Sequence, residues 1–99
     1  MEKITVGVIG AGYWGPNLIR NFSNLPDCRL QSVADTDQTR LDKIKSQYPS
    51  VATTTDPSAL IASDLAAVVI ASSATTHYPL ARQSLLAGKH VFVEKPLCL

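Results

Sequence analysis

The chain has 99 residues, 45% of them hydrophobic, with nine basic and eight acidic side chains and a net charge of +1. That is one domain's length, enough to bury roughly two-thirds of the unfolded surface. The scattered charges form no basic stripe for nucleic acid, no apolar run approaches a membrane span, and Met1-Glu2-Lys3 opens no signal peptide. Cys28 and Cys98 make no close metal-like pair and read as free thiols, so no metal site is expected and the expected location is cytoplasmic.

The first element is the apolar run Ile4–Ile9, a strand. It runs into Gly10-Ala11-Gly12-Tyr13-Trp14-Gly15. This is the glycine pattern of a dinucleotide-binding turn, and each glycine has its own task. Gly10 turns the chain out of the strand, Gly12 lets a pyrophosphate approach the backbone, and Gly15 lets a helix sit close to the strand. The N–H groups at that helix start, Trp14's among them, face the phosphates, with the positive end of the helix dipole behind them. Pro16 suits a first helical turn. Trp14, Leu18, Phe22 and Leu25 recur at helical spacing and form the expected packing face, with Arg20, Asn21, Ser23 and Asn24 opposite. The Trp14 side chain itself reads as packing.

Cys28–Ala34 is the second strand, and Asp35 ends it about twenty residues beyond the last glycine. A carboxylate there accepts the adenosine ribose hydroxyls and repels a 2′-phosphate, so NAD is expected over NADP. Arg40 stands against that preference, because its side chain can reach round to a 2′-phosphate. Helix capping is the other task open to Asp35, but Asp37 is placed to cap instead. Leu41, Ile44 and Tyr48 give the next helix face, which Pro49-Ser50 stops.

Val51–Thr55 reads as a short strand near an edge. Asp56-Pro57 reads as a cap and first-turn proline for a short helix through Leu60-Ile61. Leu65–Ala71 is continuously apolar, as a strand covered on both faces requires. Ser72–His77 reads as a polar loop, Tyr78–Ala87 as a helix with Gly88 as its stop, and His90–Val93 as a fifth strand closed by Glu94-Lys95-Pro96. Strands alternating with helices imply an α/β fold: a Rossmann-type, doubly wound parallel sheet of about five strands in the order 3-2-1-4-5. The carboxyl ends of the first, fourth and fifth strands then share one edge. Gly10, Gly12, Tyr13, Trp14 and Gly15 meet Ser72, Ser73, His77, Glu94 and Lys95 there, the last two after the fifth strand. Pro96-Leu97-Cys98-Leu99 makes no ordinary domain ending. Residues 1–99 therefore read as the dinucleotide-binding domain at the front of a longer enzyme.

The glycine pattern, Val68-Val69-Ile70-Ala71 with Thr76-His77, Ala87-Gly88-Lys89-His90-Val91 and Glu94-Lys95-Pro96 together resemble the glucose–fructose oxidoreductase, inositol dehydrogenase and rhizopine-catabolism (Gfo/Idh/MocA) family across essentially the whole chain. The resemblance implies an NAD(P)-dependent oxidoreductase acting on sugars, inositols or sugar nucleotides, with a second α+β domain, and an oligomer when full length. It implies that Lys95 positions the substrate hydroxyl by the nicotinamide, that Glu94 lies by the nicotinamide ribose, and that the Lys95–Pro96 bond is cis. Ser73 and Thr75 depart from the prolines frequent in that family's loop. On physical grounds a partly desolvated lysine beside a nicotinamide cation has a lowered pKa and accepts or relays the hydroxyl proton. His77 is a second catalytic candidate, although a capping or packing histidine is the plainer reading. Glu94 has Lys89 as an alternative partner. By this reading residues 1–99 bind cofactor without turnover. The alternatives are a non-catalytic NAD-binding sensor or scaffold, which has no need of Lys95, and an S-adenosylmethionine site, which the Glu-Lys-Pro ending argues against.

Overall fold

A computed structural model describes residues 3–10, 15–71 and 74–93; for residues 15 and 74–78 it describes the backbone alone. Among the described residues five strands and four helices alternate: β1 (Ile4–Ile9), α1 (Gly15–Asn24), β2 (Cys28–Ala34), α2 (Gln38–Gln47), β3 (Ala52–Thr54), α3 (Pro57–Ala62), β4 (Ala67–Ile70), α4 (Ala74–Leu86) and β5 (His90–Val93). They build one sheet in the order β3-β2-β1-β4-β5, with every pair parallel. This is the Rossmann-type architecture expected from the alternating pattern.

The core divides into two layers, one on each face of the sheet. Val6, Val8, Leu30, Val33, Ala67 and Val69 face Ile19 of α1 and Leu41 and Ile44 of α2. Ile9, Ala34, Val68 and Ile70 face Leu60 and Ile61 of α3, with Leu80 and Ala81 of α4 packed against them. β4 therefore sends alternate residues to opposite layers. Both layers are apolar, which is why its sequence is an unbroken apolar run.

One irregularity breaks the alternation in β2. Val6 pairs with Leu30, but Gly7 pairs with Ser32, leaving Gln31 as the extra residue of a bulge. The bulge lets Leu30 and Val33, three residues apart, join the same layer. It also sets Ser32 beside Gly7, where a Cβ would meet Leu65 Cδ1 at 2.6 Å and Leu60 Cδ2 at 2.8 Å. Glycine at position 7 is what lets α3 and the segment after it close onto β1.

Local signals set most helix ends. Asp37 caps α2, accepting from the Thr39 N–H at 2.9 Å. Asp56 caps α3, accepting from the Ser58 N–H at 3.0 Å, with Pro57 in the first turn. Gly88 ends α4: its N–H donates to the Leu85 carbonyl and that of Lys89 to the Ser84 carbonyl, both at 3.0 Å, a Schellman arrangement.

Two expectations are corrected. α4 starts at Ala74 rather than Tyr78, so Ala74–His77 are helical and not part of a loop. Pro79 lies inside this helix and has no N–H for the Thr75 carbonyl, so the helix forgoes one backbone bond there. In α1 the fully buried residue is Ile19, while Leu25 is 46% exposed and lies beyond the helix. Leu18 and Phe22 flank Ile19 as partly buried neighbours. The packing stripe is centred one residue further on than the tryptophan-led spacing suggested.

Candidate functional site

Main-chain hydrogen bonds stitch the carboxyl ends of four strands side by side. The Gly10 N–H donates to the Ala34 carbonyl at 2.7 Å, Ala71 to the Ile9 carbonyl at 2.8 Å, and Asp35 to the Thr54 carbonyl at 3.1 Å. Gly10, Asp35 and Ala71 are thus the first residues to leave β1, β2 and β4, about one strand spacing apart. Val93, the last residue of β5, pairs with Ile70 at the same edge. In open parallel sheets of this order, that edge is where the connections diverge and ligands bind.

Gly10 leaves β1 with φ 102°, a backbone conformation open to glycine and costly for other L-residues. The chain then enters α1 at Gly15, with Pro16 second in the helix and no acidic residue in the first turn. The exposed N–H groups and dipole of such a helix start suit an anion, and no local carboxylate opposes one.

Asp35 is only 6% exposed, yet its carboxylate is placed among polar partners. The Asp37 N–H donates to Oδ1 at 2.8 Å, and Arg40 NH1 lies 3.7 Å from Oδ2. Asp37, not Asp35, caps α2, which leaves Asp35 at the strand end. A carboxylate held this way can accept hydroxyl hydrogens from a diol lying over the edge. The second carboxylate near Arg40 is that of Asp37, with Oδ2 3.7 Å from Nε.

His77 is the fourth residue of α4, in the helix that follows β4, and its backbone alone is described. Gly12, Tyr13, Trp14, Ser72, Ser73, Glu94 and Lys95 lie outside the described residues, as does the Lys95–Pro96 bond. Gly7 in β1 and Ser32 in β2, paired at a bulge that no local pattern announces, escape a reading of the sequence alone. Among the described residues there is no cluster of three or more metal-ligating side chains, and no helix is long and apolar enough to cross a membrane.

The comparisons with known proteins agree with this geometry. The chain is 44% identical over 96 residues to inositol 2-dehydrogenase 2 of Paenarthrobacter aurescens, covering 95% of this chain and 28% of that protein. It is 35% identical over 107 residues to a glycosyl hydrolase family 109 protein of Shewanella amazonensis, covering 98% of this chain and 24% of that one. Its fold superposes on scyllo-inositol dehydrogenase of Lactobacillus casei, solved with NAD(H) and scyllo-inositol, with a TM-score of 0.88 at 30% identity. That match covers 99% of this chain and 29% of the other. The chain thus spans between about a quarter and a third of the length of these relatives. Residues 4–99 match the Gfo/Idh/MocA pattern, described as an oxidoreductase family with an NAD-binding Rossmann fold, and the chain belongs to that family.

Proposed function

We propose that this chain forms the NAD site of an oxidoreductase that moves hydride between a sugar, inositol or sugar-nucleotide hydroxyl and nicotinamide. The observation that carries the reading is the juxtaposition of Gly10, at positive φ, with the buried Asp35 on the neighbouring strand end. Together they match the pyrophosphate and adenosine-ribose ends of a dinucleotide, and α1 offers a helix start without an acidic residue. Gly10, Gly12, Tyr13, Trp14 and Gly15 are assigned to the pyrophosphate turn and Asp35 to the ribose diol. Ser72, Ser73, His77, Glu94 and Lys95 are assigned to the nicotinamide half.

Bound NAD supplies the hydride acceptor. The chain's own share is orientation and proton handling. Lys95 would take the hydroxyl proton at Nζ as the carbonyl forms. His77 orients the substrate or passes the proton onward. The intact protein assembles as an oligomer, and its substrate pocket needs residues beyond this chain. The domain alone therefore binds cofactor without turnover.

The test is made on the intact protein. NADH should quench Trp14 emission saturably and more tightly than NADPH. Lys95→Ala should lower kcat by at least about a hundredfold while NADH binding persists, as expected for loss of an acid–base group. Unchanged turnover would remove Lys95 from the chemistry and favour a non-catalytic NAD-binding module. The Shewanella relative's name favours a second reading, glycoside cleavage. A dehydrogenase accumulates NADH from NAD and a polyol, whereas glycoside cleavage releases free sugar with no net NADH.

A further inference from the structure

Main-chain hydrogen bonds grip the end of β2 from both sides. On one side the Gly10 N–H donates to the Ala34 carbonyl at 2.7 Å, and on the other the Asp35 N–H donates to the Thr54 carbonyl at 3.1 Å. The two sides are unequal. β1 is a central strand, paired along both of its edges. β3 is an edge strand of three residues, whose ladder to β2 is the pairing of Ala52, Thr53 and Thr54 with Ser32, Val33 and Ala34. A ladder so short frays readily unless something outside it holds its end. The Thr54 side chain supplies that hold, because its Oγ1 accepts from the Asp56 N–H at 3.1 Å. Asp56 is the cap of α3, with Oδ1 accepting from the Ser58 N–H, and α3 is fixed to the sheet by the buried Leu60 and Ile61. Thr54 therefore faces two ways, its carbonyl toward Asp35 and its hydroxyl toward a helix anchored in the core.

We propose that Thr54 is a positioning residue for the ribose carboxylate. Its hydroxyl ties the end of β3 to the cap of α3, and the carbonyl so fixed holds Asp35 beside Gly10. The role rests on the reading of Asp35 as the ribose ligand. Asp35 is buried, and its Oδ1 accepts from the Asp37 N–H at 2.8 Å. The turn from 35 to 37 is thus braced internally, and its height above the sheet is set where it leaves β2, at the Asp35 N–H. A carboxylate that accepts from neighbouring hydroxyls needs each at hydrogen-bond distance, and a shift of about 1 Å breaks that geometry. Loosening the last rung of β3 therefore weakens the hold on the adenosine half of the cofactor and spares the nicotinamide half, which is assigned to residues after β4 and β5. The Thr54 hydroxyl acts through the backbone and Asp35, not on the cofactor.

The experiment uses the intact protein, with ADP-ribose, its adenosine 2′-deoxy analogue and reduced nicotinamide mononucleotide as probes, and each variant is checked by circular dichroism. The unsubstituted protein should bind ADP-ribose about tenfold more tightly than the deoxy analogue, as expected for a hydroxyl donating to a carboxylate. Thr54→Val keeps the branched β-carbon and removes the acceptor. It should weaken ADP-ribose about fivefold, cut the preference over the deoxy analogue to about twofold, and leave the mononucleotide unchanged. Thr54→Ser returns a hydroxyl to the same turn and should restore affinity and preference to within about twofold of the unsubstituted protein. If Thr54→Val does not fold, Thr54→Ala replaces it with the same expectations. Equal weakening of ADP-ribose and the mononucleotide shows a merely structural role and overturns the proposal. An undiminished preference in the variant without the hydroxyl, or a serine variant that restores nothing, overturns it too. Equal binding of ADP-ribose and the deoxy analogue by the unsubstituted protein overturns the ribose reading of Asp35, and this inference with it.

Discussion

Gly10 combines a positive φ of 102° with an N–H that donates to the Ala34 carbonyl, so it turns the chain and ties β1 to β2 at once. Gly10→Ala should destabilise the fold by about 1–2 kcal/mol through left-handed strain, read as a lower urea midpoint. Ser32 makes the opposite case. Its Oγ is buried with no hydrogen-bond partner among the described residues. Ser32→Ala should be neutral or stabilising by up to about 1 kcal/mol, because the hydroxyl is desolvated without compensation. A clear loss of stability would show that the hydroxyl has a partner. The two residues also differ in how far the sequence announces them. Gly10 sits in a motif whose spacing ties it to a strand, a helix and Asp35, so its task is legible within a short window. Ser32 becomes unusual only through the bulge at Gln31 and the side chains that close over Gly7, and these come from α3 and the segment after it.

Among the elements, α2 and α3 were legible because their start signals are local. An aspartate before the first turn accepts from the N–H two residues on, whatever the rest of the chain does. Asp56→Ala should cost about 1 kcal/mol and Asp56→Asn much less, measured by chemical denaturation. α1 was legible as a helix but not in its rotation. Leu18, Ile19 and Phe22 all fit an apolar stripe, and a spacing counted from Trp14 points one residue away from Ile19. Ile19→Ala should destabilise by about 2–5 kcal/mol, whereas Leu25→Ala should change stability by less than about 0.5 kcal/mol. Equal effects would contradict the observed orientation. The start of α4 was illegible for a different reason. A polar run before a proline suits a loop and an exposed helical turn alike, and only packing of Leu80, Ala81 and Ser84 onto the sheet side decides between them.

At the scale of the whole molecule, strand order followed from sequence alternation alone, because right-handed crossovers leave few ways to cover both faces of a parallel sheet. The arrival of Gly10 and Asp35 at one sheet edge was legible to the same extent. The order brings Gly10, Asp35 and Ala71 to one edge, while the bracketing of Arg40 depends on side-chain placement that strand order does not specify. That order also has a consequence for synthesis on the ribosome. β1 is made early, and its β2 side can pair soon after. Its other side waits for β4, whose lead-in residue Ala66 donates to Thr5 across 61 positions. At about 5–20 residues per second, β1 spends roughly 3–12 s with one backbone edge open. A nascent chain stalled with β3 emerged and β4 still in the exit tunnel should be protease-sensitive and bound by chaperones. One stalled after β5 has cleared the tunnel should be resistant. The central strand, flanked on both sides in the finished sheet, is thus its most vulnerable part at birth.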